Sequence, residues 1–310
     1  MKTISVIIPI FNEEENVQEL YNEIVDICIK SLYKYEIIFV DDGSTDNSAE
    51  IIKKLSPVCL IRFRKNFGQT AAMDAGIKHA KNDYIITMDG DRQNDPSDIP
   101  KMILFLEQND LDVVSGWRKK RKDGFWKKFI SRGANLLRSI LIKDGIKDSG
   151  CSLKVYKSEC FQQISLYGEM HRFIPAILKI KGYKIGQVEV NHRPRIKGKT
   201  KYNWHRTFKG FIDMISVWFW NKFAVRPLHL LGGIGLFFLF VGSIFAFTTL
   251  YTFFDKSQDL SDTLLPIMTI FFIITGILLF VLGLISDILI KSYYETTRDG
   301  SYNIREIIEK

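Results

Sequence analysis

Two glycine signatures are missing from the first two-thirds of this chain. Neither Gly-x-Gly-x-x-Gly nor Gly-x-x-x-x-Gly-Lys-Ser/Thr occurs there. A dinucleotide-binding turn and a P-loop are therefore excluded as phosphate cradles. Cysteine is scarce: Cys28, Cys59, Cys151 and Cys160 show no Cys-x-x-Cys spacing. They read as reduced packing residues, not as a zinc or disulfide framework. His79, His192, His205 and His229 lack metal-ligand spacing as well. Charge is absent from Leu230 to Phe254 and from Leu264 to Ser286. Each run exceeds the roughly 20 residues that cross a bilayer's hydrocarbon core. Only the short polar loop Asp255 to Thr263 joins them, so a membrane hairpin is expected in preference to buried core helices.

Charge is plentiful elsewhere, and it is localised. The chain of 310 residues carries a formal net charge of +8. "GWRKKRKDGFWKKF" (Gly116 to Phe129) is rich in bases and has a single acid, and "HRPRIKGKTKYNWHR" (His192 to Arg206) has no acid at all. Such stretches suit solvated loops, nucleic acid, or an anionic membrane face and a lipid phosphate. The hairpin that follows favours the lipid, and no nucleic-acid partner is expected. Lys222 and Arg226 precede the first span, and Lys291, Arg298 and Arg305 follow the second. By the positive-inside rule both termini lie in the cytoplasm. Met1 leads almost at once into "ISVIIPIFNEEEN", which is too short an apolar run for a signal peptide.

The first two-thirds alternates strand and helix patterns. "ISVIIPI", "YEIIFVDD", "VCLIRF", "DYIITMDGD" and "LDVVSG" are β-rich runs. Between them come helical segments: Glu13 to Lys30, "STDNSAEIIKKL", "TAAMDAGIKHA" and one opened by Pro96. This alternation predicts an α/β fold, a Rossmann-like and mostly parallel sheet with helices on both faces. Ligands bind such sheets at the carboxyl ends of the strands. Those ends read "PIFNEEEN", "DDGSTD", "DGDRQ" and "SGWR". Turns need some polar residues, but not adjacent acids after one strand and Asp-x-Asp after another. Like charges crowded at one edge cost energy unless a cation or a donor group compensates. A divalent metal, Mg²⁺ or Mn²⁺, held by one or two carboxylates and gripping a diphosphate in turn, needs no glycine cradle.

"SVIIPIFNEEENV", "VDDGSTDNS", "NFGQTAAMDAGIKHA" and "MDGDRQNDP" follow one another in this order. Together they resemble family 2 glycosyltransferases of the GT-A fold, and among them the polyprenyl-phosphate group of dolichyl-phosphate mannose synthases and bactoprenol glucosyltransferases. The resemblance covers nearly the whole chain, hairpin included. It implies a nucleoside-diphosphate sugar as donor, a polyprenyl phosphate (undecaprenyl or dolichyl) as acceptor, and inversion at the sugar. UDP-glucose is the favoured donor and GDP-mannose the alternative.

Residue by residue, the resemblance implies that Pro9, Asn12 and Glu13 shape the nucleotide pocket, with Asp41 at the base and Asp42 nearby. Asp89 and Asp91 hold the metal and diphosphate, joined by Gln93. Arg118, Lys127, Ser131 and Arg132 handle the acceptor phosphate, as do Arg195, Lys199 and Lys201 from the later basic stretch. Lys127 stands where an arginine is expected; it keeps the charge but loses the bidentate fork. Glu169 and His171 of "GEMHRF" are assigned to a sugar or acceptor pocket.

The expected organisation is a cytoplasmic GT-A catalytic domain over 1–210, an interfacial helix over 211–227, the hairpin over 228–290 and a cytoplasmic tail over 291–310. Gly232, Gly233, Gly235, Gly242, Gly276 and Gly283 mark close helix contact and predict a homo-oligomer. A chain-extending polysaccharide synthase is disfavoured by the lack of Gln-x-x-Arg-Trp. A non-catalytic scaffold or flippase component is disfavoured because neither run carries an intramembrane charge.

Overall fold

The computed structural model describes residues 1–119, 145–162, 164, 166, 170–194, 227–255 and 263–297. It comprises two compact units, Met1–Trp218 and Phe219–Lys310.

The first unit begins β1 (Thr3–Ile10), α1 (Val17–Lys30), β2 (Lys34–Asp41), α2 (Ser48–Ile52), β3 (Cys59–Arg62) and α3 (Gln69–His79). It continues β4 (Tyr84–Thr87), α4 (Ile99–Gln108) and β5 (Val113–Trp117). "TISVIIPI" becomes β1 because β-branched side chains pack well on a pleated surface. Both of its faces are covered. Ile4, Val6, Ile8 and Ile10 pack with Val17, Leu20 and Ile24 of α1 and with Met102 and Leu106 of α4. Ile7 faces the other way, toward Ala72, Met73 and Ile77 of α3. Each such aliphatic side chain contributes about 1.5–3 kcal/mol on burial. The buried stripe Val17, Leu20, Tyr21, Ile24 and Cys28 explains why α1 is a helix. Before α4, the Asp95 side chain accepts from Ser97 N–H, and Pro96 opens a single 3₁₀ turn where a missing N–H costs nothing.

Two strands and a helix join the expected set: β6 (Lys154–Lys157), α5 (Ile174–Ile180) and β7 (Ile185–Glu189). The sheet order is β3-β2-β1-β4-β6-β5-β7. β6 alone runs against the rest, antiparallel to both β4 and β5. Its reversed direction places its amino end beside the carboxyl ends of its neighbours. The segment from Asp148 to Leu153 is thereby delivered to the edge where ligands bind α/β sheets.

The second unit contains α6 (Pro227–Asp255) and α7 (Leu265–Thr297). Both are long and apolar enough to cross a membrane, and only 17% and 11% of an 18-residue apolar stretch in each is buried. Helices from the core of a soluble domain are mostly covered, and these are not. The interfacial segment lies outside the described residues up to Arg226. The two helices pack on each other through glycine. A Cβ on Gly235 would lie 2.7 Å from the Gly276 carbonyl oxygen and 2.8 Å from Phe280 N. The Phe245 and Phe272 rings stack at 5.4 Å, and the Thr249 and Thr269 hydroxyls meet at 3.2 Å. Gly232, Gly242 and Gly283 also face the partner helix. These glycines are consumed within one chain, so they no longer argue for a second copy. Gly235→Ala should force the helices apart and cost about 1–3 kcal/mol. Thermal unfolding in detergent should show the loss, with Gly233→Ala, which meets nothing within 4 Å, as the silent control.

Candidate active site

The loops after β1 and β2 are sewn together by short polar side chains. Asn12 N–H donates to Ser44 Oγ (2.9 Å), and Thr45 N–H donates to Asn12 Oδ1 (2.8 Å). Glu13 N–H donates to Ser48 Oγ (2.9 Å), and the Glu13 carboxylate accepts from Asn16 Nδ2 (2.8 Å). Asn47 N–H donates to Glu14 Oε2 (2.9 Å). "FNEEEN" and "DDGSTDNS" thus form one wall. Asn12 takes a φ of +52° to do so, which asparagine tolerates better than most residues. Gly43 has a φ of +73°, and a Cβ there would sit 2.5 Å from the Lys65 carbonyl carbon. No other residue fits where this loop meets the segment that follows β3.

Asp41 is wholly buried. Its Oδ1 accepts from Ser44 N–H (2.9 Å), and its Oδ2 lies 3.2 Å from Arg62 Nε without hydrogen-bond alignment. Asp42 grips the segment that leads into α3, accepting from Phe67 N–H (2.6 Å) and Gly68 N–H (2.9 Å). Burial pushes its pKa above the ordinary 3.8, the two N–H groups pull against that, and Asp41 adds to the rise. The stability this group contributes is full below 3.8 and is lost as pH rises through its folded value. Wild type should therefore lose stability relative to Asp42→Asn as pH climbs from the acid limit. Paired melting curves across that range check the slope.

The Asp-x-Asp turn follows β4. Asp89 Oδ1 accepts from Gln69 Nε2 at the start of α3 (2.7 Å). Burial raises the Asp89 pKa, and so does Asp91; Ser152, Arg118 and Lys154 act in the opposite direction without cancelling the rise. A Cβ on Gly90 would lie 2.5 Å from Ile10 Cδ1 and 3.4 Å from the Pro9 carbonyl oxygen. The glycine between the acids lets the turn seat on the end of β1. Gln93 N–H donates to Asp91 Oδ1 (3.2 Å). Asn94, which is buried, donates to Ser152 Oγ (2.7 Å).

Arg118, just past β5, is held by Asp148. Its Nε donates to Asp148 Oδ2 (2.8 Å) and its Nη2 to Oδ1 (3.0 Å). Both side chains are largely buried, at 11% and 6% exposure. Burial opposes the guanidinium charge, but the Asp148 carboxylate outweighs it and lifts the pKa of Arg118. Two of the arginine's donors are therefore committed within the protein. Lys154, at the amino end of β6, is 3% exposed and pairs in register with Thr87 and Ser115. On the α3 side, Thr70 Oγ1 and His171 Nδ1 are 2.7 Å apart.

The structure brings Asp89, Asp91, Gln93, Arg118 and Pro9 to one sheet edge, with Asn12, Glu13, Asp41 and Asp42 in the adjoining loops. His171 meets α3 one residue from Gln69. Lys127, Ser131, Arg132, Glu169, Arg195, Lys199 and Lys201 lie outside the described residues. Sequence reasoning missed Gln69, Asp148, Ser152 and Lys154. "DSGCSLKVYK" held three of them, but only the antiparallel placement of β6 brings Ser152 and Lys154 to Asp89 and Asp148 to Arg118.

A mostly parallel sheet with a carboxylate pair at its carboxyl edge, walled by the loops of its first two strands, is the GT-A architecture of sugar-nucleotide transferases. The chain belongs to the family described as Glycosyl transferase family 2, whose profile matches residues 5–165. It is 36% identical over 317 aligned positions to the dodecaprenyl-phosphate galacturonate synthase of Rhizobium johnstonii, covering 99% of this chain and 93% of that protein. It is 29% identical over 315 positions to the undecaprenyl-phosphate 4-deoxy-4-formamido-L-arabinose transferase of Pseudomonas syringae pv. syringae, covering 99% and 91%. These relatives put it in the polyprenyl-phosphate group of glycosyltransferases. Among solved structures, glucosyl-3-phosphoglycerate synthase of Mycobacterium tuberculosis, in complex with Mn²⁺ and UDP-glucose, superposes with a TM-score of 0.56 at 16% identity, over 70% of this chain and 79% of that one. At that identity the likeness speaks for the fold.

Proposed function

We propose that this chain moves one sugar from a nucleoside diphosphate to the phosphate of a membrane polyprenol. What carries the proposal is the Asp89–Asp91 pair, crowded at the strand edge, in the same chain as two membrane-length apolar helices. The names of the two polyprenyl-phosphate relatives support it.

Asp89 and Asp91 fit Mg²⁺ or Mn²⁺. They are hard oxygen donors, and a cation would relieve the burial of the Asp89 charge and its repulsion by Asp91, which together raise the Asp89 pKa. Among the described residues no group of three or more His, Cys, Asp or Glu could hold a metal, so the remaining ligands would be diphosphate oxygens and water. The bound ion would supply charge neutralisation on the leaving diphosphate. Gln69 orients Asp89, and Gln93 lies next to the second carboxylate. The loops after β1 and β2 form the nucleotide wall.

The lipid phosphate is already anionic and needs no strong base. It must be desolvated and aimed at the anomeric carbon. Its oxygen forms the new bond on the face opposite the departing diphosphate, which takes the old bond's electron pair, and configuration inverts. Arg118, fixed by Asp148, is proposed as a stationary cation for these phosphates. Lys127, Ser131, Arg132, Arg195, Lys199 and Lys201 keep their assignment to the acceptor from sequence, and Glu169 and His171 theirs to the sugar or acceptor pocket. Both termini are placed in the cytoplasm with the hairpin in the bilayer.

UDP-glucose is the proposed donor. A uronic-acid donor is the second possibility, favoured by the galacturonate relative and by the buried Lys154 near Asp89. The test is a radiolabel assay of the chain in nanodiscs with undecaprenyl phosphate, Mn²⁺ or Mg²⁺, and separately UDP-glucose, UDP-galacturonate, UDP-N-acetylglucosamine and GDP-mannose. A single-sugar polyprenyl monophosphate is expected. No lipid product from any donor, or a ladder of longer products, would sink the proposal.

A further inference from the structure

Arg92 sits between the second acid and Gln93 with a φ of +57°. A non-glycine residue in this region is strained and persists only where its surroundings hold it. Two ion pairs do so. Arg92 Nη1 reaches Glu19 Oε2 (2.6 Å), and Nη2 reaches Glu23 Oε1 (2.6 Å). Both acids are on α1, which carries no residue assigned to substrate. The other oxygen of Glu23 is also engaged, accepting from Arg193 Nη1 (2.7 Å). Arg193 in turn holds Asp95 Oδ1 through Nη2 (2.7 Å) and donates its backbone N–H to the Gln93 carbonyl (2.9 Å). Asn94 is bridged to His192.

Residues 92 to 95 are thus each tied to a neighbouring element. Two of these ties converge on Glu23, whose two oxygens bind two different arginines. Glu19 is half exposed, at 49%, whereas Glu23 is at 24%. Surface screening weakens the first pair more than the second, so Glu23 is the stronger anchor.

We propose that Glu23 is a positioning residue: through Arg92 and Arg193 it fixes the turn that presents Asp91 and Gln93 to a metal-bound diphosphate. This rests on the proposed role of Asp89 and Asp91. Glu23 itself touches no substrate. Groups that orient metal ligands from outside typically change metal affinity about 10–100-fold when removed.

The test is calorimetric titration of the full-length chain in nanodiscs with Mn²⁺ plus UDP, and with Mn²⁺ plus GDP. Glu23→Gln keeps the side chain's size but loses its charge. It should weaken nucleotide binding about tenfold and raise the donor KM in step, with kcat changed much less. Arg92→Lys keeps the charge but cannot span both acids, and should weaken binding to a smaller degree. Glu50→Gln, which removes an exposed partner of Lys53 on α2, should change neither quantity. Wild-type affinity in both Glu23→Gln and Arg92→Lys, with only the melting temperature lowered, would show a merely structural cluster and overturn the proposal. If wild type binds neither nucleotide with Mn²⁺, the proposed diphosphate site fails, and the role of Glu23 fails with it.

Discussion

Asp91→Asn and Asp89→Asn should each slow sugar transfer by about 10²–10³-fold while leaving the protein folded. The two carboxylates are the only acids of the "DGDRQ" turn. Losing one forfeits electrostatic stabilisation of the departing diphosphate, which is worth about 10²–10³ in rate for a single preorganised group. Rate assays of lipid-linked product measure that loss. Stability should move the other way for Asp89. Its carboxylate is partly buried and faces a like charge, and its pKa is raised accordingly. In metal-free protein it therefore loses stability as pH rises through its folded value. Asp89→Asn removes that burden, so its metal-free melting temperature at neutral pH should equal or exceed that of wild type. Retention of most of the wild-type rate in either variant would remove Asp89 and Asp91 from the chemistry.

The second large effect is expected at Asp148. Asp148→Ala leaves the Arg118 guanidinium buried without its bidentate partner. Breaking a buried pair from one side typically costs about 3–5 kcal/mol, because the remaining charge is uncompensated. For a unit of this size that corresponds to a fall of roughly 6–20 °C in melting temperature. Arg118→Met should be similarly harmful. The double variant Arg118→Met with Asp148→Leu should recover much of the stability but none of the activity. Recovery of both would mean that the pair serves folding alone. A full stability loss in the double variant would mean that the lost contacts are packing contacts and not charge.

The alternation of strands and helices through β5 was legible because its apolar runs are continuous and its turns are marked by Asp, Gly, Asn and Pro. β6 was not legible. "KVYK" is four residues long with a charge at each end, and its place between β4 and β5 is decided by tertiary pairing, which no local pattern encodes. The same difference divides the site. Asp89 and Asp91 stand out as acids at a strand end. Asp148 does not, because its meaning comes from Arg118, 30 residues away. Arg118 was recognisable as basic, but its commitment to Asp148 was hidden for the same reason. Arg92 looked like one more charge in a polar turn; its left-handed backbone and its reach to α1 exist only in the folded chain. Five of the six hairpin glycines are close-contact residues as read, Gly233 being the exception, but composition could not show that these contacts lie within one chain.

The lengths of α6 and α7 bear on the membrane itself. The first runs 29 residues, and the apolar part of the second 26. At a rise of 1.5 Å per residue these measure about 44 and 39 Å, against a hydrocarbon core of about 30 Å. In a bilayer the surplus would be taken up by tilt, by local thickening of the lipid or by helix ends standing in the headgroup layer, each at a modest cost per ångström. Acyl-chain length therefore becomes a control variable. A lipid that shortens or lengthens the mismatch retunes how the hairpin sits, without any change in sequence.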